Sequence, residues 1–173
     1  MKKLKVCFVG IGSIAKRHIK NLSKLCSEYN IELMIDAIRR SGKKGSEECF
    51  LKINHVFKTV DEIRDTYDVV FITNPTECHI KTLKETTDIG NNFFIEKPIS
   101  SLNQIDEVMR YTKKKDAIYY VACPLRYNSV IQYIKENISP EEVLSVRSIS
   151  SSYLPDWRPG QDYRNTYSAH KEL

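Results

Sequence analysis

The chain has 173 residues, 41% of them hydrophobic and 28% charged, with a formal net charge of +5. That is enough chain to bury one real core with room for a remnant, at a composition ordinary for a globular protein. No apolar run reaches membrane-spanning length. Five scattered cysteines (Cys7, Cys26, Cys49, Cys78, Cys123) without a Cys-x-x-Cys pair point to reduced thiols in the cytoplasm and away from a disulfide framework.

His18, His55, His79 and His170 lack metal-ligand spacing, so no metal is expected. Lys and Arg are spread along the chain, and the short run Lys113-Lys114-Lys115 reads as a solvated helix end. A small anionic ligand explains the positive balance as well as DNA would, and no nucleic-acid partner is expected.

The first predicted strand is Leu4–Val9, and it runs straight into Gly10-Ile11-Gly12-Ser13-Ile14-Ala15. A helix follows from Ser13 to about Tyr29, with Ala15, Ile19, Leu22, Cys26 and Tyr29 at helical spacing. A secretory signal after Met1-Lys2-Lys3 would not need that periodicity. Strand, glycine turn and helix form the context of a dinucleotide-binding fingerprint. Gly10 supplies the turn, Gly12 lets the backbone approach a pyrophosphate, and Ala15 lets helix and strand pack closely. The helix N-terminus offers free N–H groups and a positive dipole end to the phosphates. A tight turn with no ligand is the competing reading.

Strand and helix patterns then alternate. Ile31–Ile38 reads as a strand, Ser41–Gly45 as a loop, Ser46–Leu51 as a short helix and His55–Phe57 as a weak strand. Thr59-Val60-Asp61-Glu62 reads as a capping box opening a helix, with Glu62 reaching back. Asp68–Ile72 holds the continuous apolar run Val69-Val70-Phe71-Ile72, hence a buried central strand. A helix starts at Pro75-Thr76 and stops before Gly90, placed as a C′ glycine. Phe93–Ile95 is the next strand, and Ser101-Leu102-Asn103-Gln104 a second capping box. Its helix has Leu102, Ile105, Met109 and Thr112 along one face. Ile118–Ala122 is the last strand of the series. Such alternation with short links predicts an α/β fold, a doubly wound parallel sheet with helices on both faces.

After Cys123-Pro124 the character changes. Tyr127, Ile131, Ile134 and Ile138 predict a helix, Val143–Tyr153 one long strand, and Ser152–Leu173 no regular pattern. The expected division is a dinucleotide-binding domain over residues 1–123 and the start of a second, substrate or oligomerisation domain over 124–173.

Chemistry is expected at the carboxyl ends of the strands, where an open α/β sheet binds its ligand. The glycine turn is one place. Thr73-Asn74-Pro75-Thr76, with His79 a helical turn on, is a second, and Glu96-Lys97-Pro98 a third. Lys97, at a strand end near a dinucleotide site, is a candidate proton handle; a surface lysine in a loop is the alternative. The strand ending Ala37-Ile38-Arg39-Arg40-Ser41 carries no terminal acid for a ribose 2′-hydroxyl, and Asp36 lies too early. Two guanidiniums and a hydroxyl suit a 2′-phosphate, which favours NADP over NAD. Arg39 and Arg40 would otherwise cover the sheet edge.

Together, Gly10 to Ala15 with His18, Asn74-Pro75 with His79, Glu96-Lys97-Pro98 and Arg126-Tyr127-Asn128 resemble the Gfo/Idh/MocA family of oxidoreductases. The segment Tyr153–Gly160 with Tyr163-Arg164 resembles members acting on sugars for surface polysaccharides. The resemblance implies hydride transfer between a sugar or nucleotide sugar and a nicotinamide. It implies Gly10, Gly12, Ser13 and Ile14 at the pyrophosphate, and Asn74, Pro75 and His79 on the nicotinamide side. Glu96 and Lys97 would meet ribose and substrate, Arg126 would close over the cofactor, and Lys97 would be catalytic. His18 is read as helix packing beside Leu22 and Leu25. Family members run well beyond this length, and their general-base His lies in a Gly-rich segment further on. The chain is therefore expected to represent an N-terminal portion that binds cofactor without turning over sugar, or else a non-catalytic dinucleotide-binding module. Val143–Tyr153 would expose an unpaired edge, with Trp157, Tyr163 and Tyr167 loose or packed on another copy, a possible homo-oligomer.

Overall fold

A computed structural model describes residues 2–39, 51–157, 159–166 and 169. The chain divides into two compact units, Met1–Ala122 and Cys123–Leu173.

In the first unit, β1 (Lys2–Val9) leads through the glycine turn into α1 (Ser13–Glu28) and β2 (Ile31–Ile38). Then come β3 (His55–Phe57), β4 (Tyr67–Ile72), α2 (His79–Thr86), β5 (Gly90–Ile95), α3 (Ile105–Tyr111) and β6 (Tyr119–Val121). Among the described residues these strands form one sheet in the order β3-β2-β1-β4-β5-β6, every pair parallel. The order reverses direction at β1, the mark of the doubly wound Rossmann arrangement.

The apolar runs inside β1, β2 and β4 follow from burial on both faces. Alternate residues serve opposite sides. Val6 and Phe8 join Ala15, Ile19, Ile35 and Ala37 in one core layer, while Cys7 and Val9 join Val70, Ile72, Leu83, Phe93 and Ile95 in the other. On the first side an aromatic row crosses four strands. Phe8 stacks on Phe71 at 4.4 Å, Phe71 on Phe94 at 5.0 Å and Phe94 on Tyr120 at 5.4 Å between ring centroids. Each step joins register partners on neighbouring strands. Aromatic pairs add about 0.5–1.5 kcal/mol beyond burial, whereas exposed ion pairs such as Lys24–Glu28 at 3.8 Å contribute about 0–1. The row therefore adds more to the pairing of β1, β4, β5 and β6 than such surface charge does.

Several local expectations are corrected. Val60–Glu62 is one 3₁₀ turn, not the opening of a helix, and Thr59 makes no side-chain cap. Glu62 does reach back, but to the Lys58 amide, because Ile63 turns into the core and stops the helix. Gly90 is not a C′ glycine: it opens β5. A Cβ there would meet the Phe93 ring at 2.7 Å and Val70 Cγ2 at 2.8 Å, so packing requires the glycine. Ser101 caps no backbone amide; its hydroxyl binds the Asn103 and Gln104 side chains. The face Leu102, Ile105, Met109 is exposed, and α3 buries Val108 instead. Most of the helix expected at Ser46–Leu51 lies outside the described residues.

In the second unit α4 (Ser129–Asn137) is capped by Asn128, whose Oδ1 accepts from the Val130 and Ile131 amides at 3.0 and 3.3 Å. Val143–Tyr153 forms no strand. A strand exists by pairing, and an apolar alternation with no neighbour to receive its hydrogen bonds stays irregular. Leu144, Val146 and Ile149 are correspondingly exposed.

Candidate functional site

Hydrogen bonds just past the strand ends gather three turns at the point where the strand order reverses. The Gly10 amide donates to Ile38 O at 3.1 Å, the Thr73 amide to Val9 O at 3.0 Å, and the Glu96 amide to Ile72 O at 3.0 Å. The ends of β2, β1, β4 and β5 thus stand side by side.

Gly10 has φ +87, a conformation that side chains disfavour, and an added Cβ would lie 3.0 Å from the Asn74 backbone. It is needed for turn and packing together. Gly12 differs. Its φ of −89 suits any residue, and nothing lies within 4 Å of where a Cβ would stand. No contact among the described residues asks for glycine there, whereas a ligand approaching the backbone would. Gly12 is the N-cap of α1, with no acid in the first turn and, among the described residues, no side-chain cap. Ser13 is exposed and Ile14 half-buried at that end.

Thr73 is buried, and its hydroxyl donates to Gly10 O at 2.8 Å and Val9 O at 3.1 Å. It latches β4 to the glycine turn. The Asn74 Nδ2 donates to Thr82 Oγ1 at 2.6 Å, and its Oδ1 is buried without a hydrogen-bond partner. Pro75 is exposed. His79 stands behind the wall instead of on it. The ring is 1% exposed, with Nε2 2.9 Å from Asn74 O and Nδ1 2.9 Å from Pro98 O. So enclosed, the ring ties the Asn74 turn to the Glu96-Lys97-Pro98 turn. Neutral imidazole donates through one nitrogen, and both donate only in the protonated ring.

Glu96 is mostly buried, and its Oε1 lies 2.6 Å from His18 Nε2 on α1. Its Oε2 accepts from the Lys97 amide at 3.3 Å. Burial alone would raise the carboxyl; the His18 bond and charge, the Lys97 amide and the Lys97 charge outweigh it and hold the group below the ordinary glutamate value. Sequence reasoning gave His18 to helix packing near Leu25, yet Leu25 is half-exposed and His18 turns to Glu96, edge-on to Phe94 at 5.0 Å. The signals in the sequence were a polar residue among inward positions of α1 and its place in the motif Gly10 to Ala15 with His18; the partner is 78 residues away. Lys97 is exposed and precedes Pro98 through a cis peptide bond.

At the end of β2, Arg39 is exposed and its amide donates to Phe57 O at 2.8 Å. Arg40 and Ser41 lie outside the described residues. Asp36 is turned away from the strand end: its Oδ1 accepts from the His55 amide and lies 3.0 Å from His55 Nδ1, and its Oδ2 accepts from the Tyr67 hydroxyl at 2.9 Å. Burial, first of all, pushes the Tyr67 hydroxyl and the Cys7 thiol far up, with Asp36 adding to both. Arg126 belongs to the second unit, in the turn Pro124–Tyr127.

Such an arrangement can receive an anion at the start of α1 and offers a carboxylate and an ammonium at the end of β5.

The profile of an oxidoreductase family with an NAD-binding Rossmann fold matches residues 4–123. An uncharacterized oxidoreductase of Bacillus subtilis, YrbE, is 24% identical over 95% of this chain and 48% of its own length. The myo-inositol 2-dehydrogenase of Thermotoga maritima is 23% identical over 78% of this chain and 40% of its own. The chain thus spans less than half the length of both relatives. Among solved structures, the WlbA dehydrogenase of Bordetella pertussis, in complex with NADH and UDP-GlcNAcA, shares the fold at a TM-score of 0.65 and 18% identity. That match covers 78% of this chain and 41% of the other. Residues 4–123 carry the family's Rossmann domain, and the chain belongs to the Gfo/Idh/MocA oxidoreductases.

Proposed function

We propose that the chain is the cofactor-binding part of a dehydrogenase acting on a sugar, cyclic polyol or nucleotide sugar, with NADP as its nicotinamide cofactor. The observation that carries the binding is Gly12, a glycine with open space over it at an uncapped helix start. Names of relatives support the substrate class, one an inositol dehydrogenase and another solved with a UDP-sugar. A role in surface polysaccharide synthesis rests on the resemblance of Tyr153–Gly160 with Tyr163-Arg164. A cytoplasmic setting and a homo-oligomer belong to the same reading; among the described residues no helix is long and apolar enough to cross a membrane.

In this reading Gly10, Gly12, Ser13 and Ile14 hold the pyrophosphate, and Asn74 and Pro75 border the nicotinamide. Thr73 and His79 serve from behind by fixing those turns. Glu96 accepts a ribose hydroxyl. The bound nicotinamide would supply the hydride acceptor or donor. Lys97 holds or moves the proton of the reacting hydroxyl at Nζ. For the 2′-phosphate, Arg39 stands at the β2 end and Asp36 is spent on His55 and Tyr67. Arg40 and Ser41 complete that grip in the proposal.

Titrating the purified chain with NADPH and NADH tests the reading. NADPH should bind roughly ten-fold more tightly, the difference of one charge-assisted contact. Equal or tighter NADH binding sinks the NADP assignment, and binding of neither removes the site.

A further inference from the structure

We infer that His18 is a positioning residue for the nicotinamide half of the dinucleotide, acting through Glu96. The inference rests on the dinucleotide reading given above. His18 lies in the second turn of α1, the helix whose first turn faces the expected pyrophosphate, and Glu96 ends β5. Their contact at 2.6 Å joins a side chain of α1 to the end of β5. It falls between two mostly buried side chains, 20% and 13% exposed.

The ring has little freedom. Phe94 meets it edge-on at 5.0 Å and Phe71 lies at 6.3 Å, so the aromatic row under α1 sets the direction of Nε2. Glu96 in turn takes the Lys97 amide on its other oxygen at 3.3 Å. Ring, carboxylate and Lys97 backbone are consequently linked in series from the glycine turn to the candidate proton handle. A carboxylate this buried, deprived of its donor, turns outward or takes up a proton, and either change removes the acceptor it offers a ribose.

Strand order gives the effect a side. The adenosine half of a dinucleotide belongs at the end of β2, and the nicotinamide half beyond β1, toward β4 and β5. A helix loosened as a whole by losing His18 would weaken both halves. A positioning role weakens one.

The test uses the full chain, its fold checked by far-UV circular dichroism, with NADPH as one probe and 2′,5′-ADP, which carries no nicotinamide or second ribose, as the other. His18→Ala should weaken NADPH roughly ten-fold, the scale of one hydrogen bond to a charged group, and leave 2′,5′-ADP within two-fold. Glu96→Ala should do the same, and the double variant should lose no more than either single one. His18→Gln, which keeps an N–H for Glu96, should recover most of the affinity and serves if His18→Ala folds poorly. Equal weakening of both probes, or of neither, overturns the positioning role while the site stands. Failure of the unaltered chain to bind either probe overturns the site and this role together.

Discussion

At the residue scale the two glycines of the turn do different work, and substitution separates them. Gly10→Ala places a side chain at positive φ and 3.0 Å from the Asn74 backbone. It should cost about 1–3 kcal/mol of stability in urea unfolding. Gly12→Ala meets nothing within 4 Å and should leave stability within about 1 kcal/mol, while weakening NADPH ten-fold or more. If Gly12→Ala binds normally, the open space over Gly12 is not a ligand's space. The motif itself was readable, since Gly10, Gly12 and Ala15 stand at fixed offsets after an apolar strand. His18 was misread for a physical reason. Helical spacing reports which way a side chain faces and is silent on a carboxylate brought alongside by another strand.

Between elements, the Glu96–His18 bond joins β5 to α1, and its dependence on acid follows from the depressed carboxyl. An unfolded glutamate titrates near pH 4.3. A group held lower in the folded chain stabilises it fully above that value and loses this contribution as pH falls through its folded one. Acid unfolding should therefore be steeper in the unaltered chain than in Glu96→Gln, with the two curves parallel above about pH 5. Curves that are parallel throughout would mean that Glu96 contributes no such linkage. The alternating strands and helices were legible because buried parallel strands need unbroken apolar runs and helices a 3.6-residue period. What failed were end signals and unpartnered pattern. Gly90 looks like a helix stop, though its reason is the Phe93 ring, and the alternation in Val143–Tyr153 had no strand to pair with.

At the scale of the whole molecule, we expect the 173-residue chain to bind NADPH and not to oxidise sugars at ordinary enzyme rates. Hydride transfer needs a proton acceptor and a wall that orients the carbinol, and among the described residues Lys97 is the candidate for the first alone. An assay of the chain, its mass confirmed, against sugars, inositols and nucleotide sugars checks this, and saturable cofactor reduction would refute it. In a protein of the relatives' full length, Lys97→Ala should lower turnover by about 10²–10⁴-fold with cofactor affinity nearly unchanged. The placement of β1 also bears on how the chain is made. β1 leaves the ribosome well before β4, its neighbour on one side, and the Thr73 hydroxyl that latches the two bonds Val9 from 64 residues downstream. β2 and β3 emerge earlier and complete only one half of the sheet. Until β4 arrives, Val6-Cys7-Phe8-Val9 presents an apolar edge with its backbone groups unpaired, which is the segment a nascent-chain chaperone would be expected to hold.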